Sequence, residues 1–348
     1  MLKLVQLDLA KVDWASLDRF EDRTVFQTRE WVQFIAESQN ATPVVAEVCE
    51  GGSRVGYFTG LIIRRMGIRI LGSSFPGWTT PYIGFNLPEA APRKEALRAL
   101  EVFASRDLKC MHLEVSDRSF HPEDGQELGF DLDAYHSYET NLTQSEEQIF
   151  DRMSSACRRC IRKAEKSGVR IEEVHDESFA AEYYAQLKDV FAKQGLVPTY
   201  GLDRVKSLIR NLLPTGNLLL IRALDPNGQC IGTGIYPGLN KVAEFWGNAS
   251  FRQSQNLRPN EFLHWYAMRY WKRRGIKVFD WGGGGEYKEK YGVTPIAVPW
   301  FKKSRYRLIG QLRQGGKKLF DLKQRVIGRW RTSGKGKPGQ APDEGGNS

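Results

Sequence analysis

Apolar and polar residues alternate along several stretches of the first half of the chain, a pattern typical of β-strands that bury one face. The alternation predicts strands in TPVVAEVCE, VGYFTGLIIRRM, IRILGSS, CMHLEVS and YHSYETNLT. Two segments, REWVQFIAESQ and APRKEALRALEVFASRD, follow a helical period instead, and the second opens after Pro92. We therefore predict a mixed α/β unit over residues 1–142.

The second half repeats this mixture of patterns. SEEQIFDRMSSACRRCIRKAEKSG predicts a helix that ends at Gly168, and VRIEEVH a strand after it. Two helical stretches, three strands in NLLLIRALDPNGQCIGTGIYPGLNKVAEFWGNAS and the helix EFLHWYAMRYWKRRG follow. IKVFDWGGG then predicts a short strand, EYKEKYG a brief helix and VTPIAVPWFKKSRYRLI one or two closing strands. These elements predict a second unit over residues 143–312, with a basic helix and a disordered tail over 313–348.

Composition excludes several protein classes. With 348 residues, 41% hydrophobic and 26% charged, the chain is typical of a soluble globular protein large enough for two domains. No apolar run approaches the ~20 residues that span a bilayer, which predicts a cytoplasmic protein. The five cysteines are odd in number and scattered, and the single C-x-x-C pair has no partner motif. We expect reduced thiols and no metal site.

The excess positive charge of +10 lies at the C-terminal end of the chain. Residues 301–348 hold 13 Lys and Arg against 3 Asp and Glu, so residues 1–300 are balanced. A basic end on a neutral body predicts one electrostatic contact, with nucleic acid or with anionic lipid at the inner face of the membrane, through residues 301–338. A solvated tail without a partner is the alternative.

Four segments together resemble a known family. They are VFQTREWVQF (25–34), LGSSFPGWTTPYIGF (71–85), RRCIRKAEKSGVRI (158–171) and FDWGGGGEYKEKYGV (279–293). With the order of predicted elements, they resemble the FemAB-like, peptidoglycan-bridge-type acyltransferases of the GNAT superfamily. The resemblance implies an α/β (α+β) fold of two tandem GNAT-like domains, each a mixed, mostly antiparallel sheet flanked by helices. It also implies that one sheet opens into a V that holds the acyl donor.

Two residues of the last segment are candidates for catalysis. Lys288 stands four residues before Gly292, where ordinary GNAT enzymes often carry a tyrosine that protonates the leaving thiolate. The resemblance to FemAB-like enzymes implies that its ammonium stabilises the oxyanion formed during acyl transfer; a solvated helix residue is the alternative. Asp280 ends an apolar strand, where it would orient the acceptor amine or Lys288, or cap the glycine turn. His264, one helical turn from Glu261, is a weaker candidate for a general base and more typical of a core residue.

The predicted donor-binding residues are Arg252, Arg258, Asn260 and Trp246. In GNAT enzymes that use coenzyme A, a Gly-rich turn before the main helix holds the pyrophosphate. The matching stretch here, FRQSQNLRPNEFLHW, contains arginines and no glycine. Acyl-CoA and aminoacyl-tRNA therefore both remain open as co-substrates, and we expect no permanently bound cofactor. The short segment between VRIEEVH and NLLLIRAL favours acyl-CoA, because many tRNA-using relatives carry a long helical arm there.

The predicted acceptor-binding residues form two groups. The first lies in the 71–85 loop and near the glycine run: Phe75, Trp78, Tyr82 and Tyr287. The second is a basic stripe with Arg158 and Arg162, which would bind a phosphorylated acceptor or remain an exposed helix face.

These sequence features favour an N-acyltransferase, active as a monomer, that acylates an amine of a cell-envelope precursor (peptidoglycan, lipid-linked or polysaccharide). The alternatives are an aminoacyl-tRNA-dependent peptidoglycan-bridge aminoacyltransferase and, from another class, a catalytically inactive binding module docked by its basic C-terminus.

Overall fold

The computed structural model describes residues 1–65, 67–73, 75, 77–193 and 195–306. The predicted basic helix and tail over 313–348, and most of the predicted membrane contact over 301–338, lie outside the described residues. Among the described helices, each is too short or too polar to cross a membrane.

The first half of the chain carries seven described strands and four α-helices. The strands are β1 Leu2–Gln6, β2 Thr42–Glu50, β3 Ser53–Arg65, β4 Ile68–Gly72, β5 Gly84–Asn86, β6 His112–Ser116 and β7 Asp131–Asn141. The helices are α1 Trp14–Leu17, α2 Arg29–Gln39, α3 Arg93–Val102 and α4 Pro122–Gln126. A π-helical turn, Phe103–Asp107, continues α3. The strands and helices predicted for this half are present, with β1 and β5 in addition.

The second half carries the remaining elements. The helices are α5 Glu146–Arg152, α6 Ser155–Lys166, α7 Phe179–Lys193, α8 Leu202–Leu212 and α9 Pro259–Arg273, with a 3-10 helix over Glu286–Tyr291. The strands are β8 Arg170–Glu173, β9 Leu218–Leu224, β10 Cys230–Leu239, β11 Val242–Glu244, β12 Gly247–Ser250, β13 Val278–Asp280 and β14 Thr294–Ser304.

Two predicted elements are each divided in two. The helix expected up to Gly168 is interrupted at Met153 and Ser154, which have extended backbones. The Ser154 hydroxyl accepts a hydrogen bond from the Cys157 N–H and so starts α6 as a separate helix. The third strand of the predicted meander is broken after Glu244, into β11 and β12. The second break lies at the candidate site described below.

All fourteen described strands join one mostly antiparallel sheet, and β4–β6 and β11–β13 are its parallel pairs. The sheet runs in the order β1-β2-β3-β4-β6-β14-β7-β13-β11-β10-β9-β8, while β5 pairs with β3 and β12 with β10. The predicted fold of two tandem GNAT-like units is confirmed. The last strand, β14, lies between β6 and β7 of the first half. A division of the chain at residues 142 and 143 stays a prediction.

A shared hydrophobic core holds the two halves together. Helix α2 packs against α8, and the rings of Phe34 and Trp246 lie 6.5 Å apart across this contact. The loop after β4 is fixed from both sides. The Trp31 indole donates to the Thr80 hydroxyl over 3.1 Å, and Arg204 of α8 donates to the Trp78 carbonyl. The first half is therefore positioned to contribute side chains to a site in the second.

The aromatic-Gln-Thr motif that opens α2 has a physical role in this arrangement. The Gln27 amide donates to the carbonyls of Ile83 and Phe85 over 2.7 and 3.2 Å and accepts from the Thr24 N–H. Gln27 is 2% exposed. One buried side chain thus joins the start of α2 to the end of the 71–85 loop.

Candidate active site

The parallel strands β11 and β13 pair over three positions and then part. Glu244 lies opposite Asp280 in their register, and the Phe245 N–H still reaches the Asp280 carbonyl over 2.8 Å. The next residues diverge, because the Trp246 N–H bonds to Ile235 on β10 while the Trp281 N–H bonds to Tyr138 on β7. This divergence is the V that the family resemblance implied.

Asp280 lies at the apex of the V with its side chain fully buried. One oxygen accepts hydrogen bonds from the Tyr82 hydroxyl over 3.1 Å and from Arg118 over 3.2 Å. The other accepts from the Ser137 hydroxyl over 2.6 Å and from the Gly282 N–H over 2.9 Å. Four donors, three of them side chains of the first half, therefore hold this carboxylate. The predicted role in the glycine turn is present as the bond to Gly282.

Glu244 is a second buried carboxylate at the same point, and it is 3% exposed. Its Oε2 atom is buried without a hydrogen-bond partner among the described residues. Burial raises the pKa of Glu244 well above its ordinary value, and the neighbouring Asp280 raises it further, while Lys288 and Arg118 oppose the rise. A buried carboxyl group with a raised pKa is a candidate for proton transfer.

Lys288 lies beside these carboxylates and is 2% exposed. Its ammonium donates to three successive backbone carbonyls, over 2.5 Å to Trp281, 3.2 Å to Gly282 and 2.8 Å to Gly283. Burial lowers the pKa of Lys288 to about 8, and the negative charges of Asp280 and Glu244 resist that change. The solvated alternative is therefore excluded. Oxyanion stabilisation stays a prediction, and a substrate oxygen would have to replace one of the three carbonyls.

Gly282 allows this turn to form. Its φ of +64° is in the left-handed region, and a Cβ atom there would lie 2.4 Å from the Phe245 carbonyl oxygen. The turn therefore needs glycine at this position both for its backbone angle and for the close approach of the two strands.

The predicted donor-binding residues lie at two places. Arg252 and Arg258 are exposed before α9, and Arg258, in a left-handed conformation, is its N-cap. Asn260 in the first turn of α9 accepts from Asn248 of β12 over 3.1 Å. These three residues lie at or near one helix N-terminus. Trp246 is instead 5% exposed and packs in the shared core, although its indole N–H is buried without a hydrogen-bond partner among the described residues.

The predicted acceptor-binding residues also lie in different environments. Tyr82 is buried but joins the site through its bond to Asp280. Phe75 and Trp78 are 4% and 6% exposed and stack on each other with ring centroids 4.8 Å apart. They are core residues in this structure. Tyr287 is 55% exposed, and its ring faces the Lys288 ammonium, which lies 5.7 Å from the ring centroid. Contact with an acceptor stays a prediction for all four.

The basic stripe of α6 is partly occupied by contacts within the chain. Arg158 donates to the carbonyls of Asp151 and Met153 over 2.6 and 2.7 Å. Arg162 is exposed and lies over the Phe150 ring. Arg158 thus helps to fix the break between α5 and α6, and contact of either arginine with an acceptor phosphate stays a prediction.

His264 is a core residue. It is 2% exposed, and its Nδ1 atom lies 3.1 Å from the Tyr236 hydroxyl. Burial lowers the pKa of His264 to about 3, with smaller contributions from Lys290 and Lys288, so the ring is neutral at physiological pH. Glu261 pairs with Lys290 over 2.6 Å.

Several site residues escaped the sequence analysis: Arg118, Tyr135, Ser137, Glu139 and Glu244. Sequence patterns could have indicated some of these residues. Tyr135, Ser137 and Glu139 alternate on one face of β7, and Glu244 is a charged residue within an apolar strand. Their importance depends on the pairing of β7 with β13, a contact between distant parts of the chain.

The described cysteines are all free, and the described part of the chain has no group of three or more His, Cys, Asp or Glu side chains that could hold a metal ion.

Comparisons with known proteins agree with this geometry. The family model of the GNAT acetyltransferase domain matches residues 152–291. No curated protein matches the chain. Among solved structures, the chain is similar to FemX, with a TM-score of 0.73 at 13% identity over 89% of this chain and 99% of that one.

Two further solved structures are similar over most of their length. A tandem GNAT protein from the clavulanic acid biosynthesis pathway has a TM-score of 0.52 at 11% identity, covering 88% of this chain and 99% of that one. The C-terminal domain of a putative lysylphosphatidylglycerol synthetase from Agrobacterium fabrum has a TM-score of 0.50 at 13% identity, covering 75% and 85%. At these identities the likeness shows the fold. Together with the family match over residues 152–291, it confirms the resemblance in fold to FemX and to tandem GNAT proteins.

Proposed function

We propose that the protein is an N-acyltransferase, from the premise that residues 152–291 match the GNAT acetyltransferase domain. The proposed reaction moves an acyl group from acyl-CoA to an amine of a cell-envelope precursor. The observation that carries it is the group of Glu244, Asp280 and Lys288, all buried where β11 and β13 part. Burying three ionisable groups together is costly, and a chemical role accounts for their presence at the open end of the strand pair.

These residues allow the acyl transfer to proceed as follows. The acceptor nitrogen attacks the thioester carbonyl carbon, so that a C–N bond forms and the C–S bond breaks. Glu244 takes the proton that the amine loses, and coenzyme A leaves as a thiolate that is protonated from solvent. The positive charge of Lys288 stabilises the negative charge that develops on the carbonyl oxygen. Direct attack needs no covalent intermediate on the protein.

The start of α9 supports acyl-CoA as the donor. Its N-cap residue, Arg258, makes no side-chain capping bond to this 15-residue helix among the described residues, so the first N–H groups and the positive end of the helix dipole suit the pyrophosphate. Arg252 and Arg258 are exposed next to it and would supply charge that a Gly-rich turn supplies elsewhere. Asn260 would contact the same group. Aminoacyl-tRNA is the second candidate donor, because those arginines suit a nucleic-acid phosphate equally well.

The acceptor class is supported by the comparisons. The likeness to FemX and to a domain named for lysylphosphatidylglycerol synthesis favours an envelope precursor over a protein substrate. A cytoplasmic, monomeric enzyme with its basic end on the anionic inner face of the membrane would reach such a precursor.

The inactive binding module stays an alternative, favoured only by the charge of residues 301–348. Deletion of residues 311–348 tests this alternative. An enzyme should still acylate a soluble acceptor after the deletion, whereas an inactive docking module shows no turnover with or without these residues.

Calorimetric titration of the full chain with acetyl-CoA, coenzyme A and a mixed aminoacyl-tRNA pool tests the donor. We expect saturable micromolar binding of coenzyme A that weakens about tenfold or more in Arg258→Ala. Arg273→Ala, at the other end of α9, is the matched control and should bind normally. Binding of charged tRNA alone would replace acyl-CoA by aminoacyl-tRNA, and no binding of either would favour the docking module.

A further inference from the structure

Arg118 connects the first half of the chain to the proposed catalytic site. It lies two residues after the end of β6, and its neighbour Asp117 fixes the loop by accepting from the N–H groups of Phe85 and Ser119, each over 2.8 Å. The Arg118 side chain is 24% exposed. From this partly solvated position its guanidinium reaches a carboxylate that is fully buried.

The guanidinium contacts three partners. One terminal nitrogen donates to the Tyr82 hydroxyl over 2.8 Å and to Asp280 over 3.2 Å. The other donates to Glu139 on β7. Among the four donors to Asp280, Arg118 is the only one with a charge, since the others are two hydroxyls and a backbone N–H. It is therefore the donor that distinguishes an ionised Asp280 from a protonated one.

A negative charge on one of the two carboxylates at the apex disfavours a negative charge on the other. Glu244 and Asp280 lie on paired positions of adjacent strands, and two anions this close cannot both be stable without compensation. Arg118 compensates Asp280 by direct contact. Lys288 is the other cation at this point, and its ammonium donates to three backbone carbonyls. The titratable groups that face Asp280 and Glu244 from the surrounding elements are Tyr82, Arg118, Tyr135, Glu139 and Lys288.

Resting on the proposed function, we propose that Arg118 is a positioning residue for acyl transfer that holds Asp280 by a charged hydrogen bond and leaves Glu244 as the carboxyl group that exchanges a proton. Asp280 in turn holds the Gly282 N–H and so the turn whose carbonyls bind Lys288. The active site of the second half is thus completed by a cation from the first. Arg118 acts through Asp280 and does not need to touch either substrate.

The test compares Arg118→Met with Arg118→Lys and with Arg222→Met in the full chain. Arg222 is a close match, because its side chain is 25% exposed and also bridges two carboxylates, Glu172 and Glu182. The first readout is the pH dependence of kcat/KM. We expect Arg118→Met to lower kcat by about 10- to 100-fold and to move the ascending midpoint up by about one pH unit or more. Arg118→Lys should restore part of both changes.

A second readout does not depend on turnover. Carbon-13 NMR follows the side-chain carboxyl carbons of labelled Asp and Glu, with Asp280→Asn and Glu244→Gln to assign them. We expect the Glu244 signal to titrate at higher pH in Arg118→Met, because the Arg118 charge opposes the rise of the Glu244 pKa, and at its original pH in Arg222→Met.

The outcomes separate the two proposals. A wild-type protein that transfers no acyl group, but whose carboxyl titration moves in Arg118→Met, overturns the proposed function and keeps the role of Arg118 at Asp280. An active wild-type protein in which Arg118→Met lowers Tm alone, with an unchanged pH profile and carboxyl titration, reduces Arg118 to a structural ion pair and overturns the inference.

Discussion

Glu244 and Asp280 face each other across the parallel pair β11–β13, immediately before the two strands part. The two carboxylates are held very differently. Asp280 accepts four hydrogen bonds, whereas Glu244 has an oxygen that is buried without a partner among the described residues. Asp280 is therefore the fixed member of the pair and Glu244 the member that can change its protonation state.

Replacing Glu244 by Gln should abolish most of the activity without harming the fold. The amide cannot accept the amine proton, so we expect kcat to fall ~100- to 10,000-fold, the range for a lost general base. Thermal stability should stay equal or increase, because a buried carboxylate near a second one is removed. Glu286→Gln, on an exposed position nearby, is the control. Steady-state kinetics measure kcat and a thermal melt measures stability. An active Glu244→Gln enzyme would exclude Glu244 as the base.

Removing the ammonium of Lys288 should slow the chemical step. We expect Lys288→Met to lower kcat ~100- to 1,000-fold, as for the loss of one oxyanion-stabilising group, with KM for the acyl donor changed little. Lys290→Met removes a nearby ammonium that pairs with Glu261 and should leave kcat within a few-fold. Circular dichroism checks that both variants fold. Unchanged turnover in Lys288→Met would contradict a catalytic role.

Activity should also decline in alkaline solution. The pKa of Lys288 is lowered to about 8, so the ammonium is present below that pH and is lost above it. We expect kcat/KM to fall above about pH 8. A guanidinium stays charged across this range, so the decline should move to much higher pH in Lys288→Arg if that variant retains measurable activity. A decline at the same pH in Lys288→Arg would assign the titration to another group.

The glycine run offers a matched pair of substitutions. Gly282→Ala places a methyl group against the Phe245 carbonyl in a left-handed conformation, whereas a Cβ at Gly284 meets nothing within 4 Å and has no positive φ. We expect Gly282→Ala to lower the free energy of unfolding by ~1–3 kcal/mol and to abolish turnover. Gly284→Ala should change stability by less than ~0.5 kcal/mol. Equal effects in chemical denaturation would contradict the described turn.

Sequence patterns predicted the fold well because local periodicity and turn residues decide most of its elements. They also located Lys288 and Asp280, which belong to one short segment. They could not show that β11 ends at Glu244, since the break depends on two competing neighbours, β10 and β7. The burial of Phe75 and Trp78 also depends on distant parts of the chain, since Arg204 of α8 bonds to their loop, and the sequence alone could not show it.

The position of β14 has a consequence for synthesis on the ribosome. Strands β6 and β7 emerge early, but the strand that lies between them comes about 150 residues after β7, which at typical rates of elongation is ~10–30 s of translation. During that interval both strands present unpaired backbone edges. A chain that ends before residue 294 lacks β14 and therefore leaves the edges of β6 and β7 that β14 covers in the complete fold without this partner.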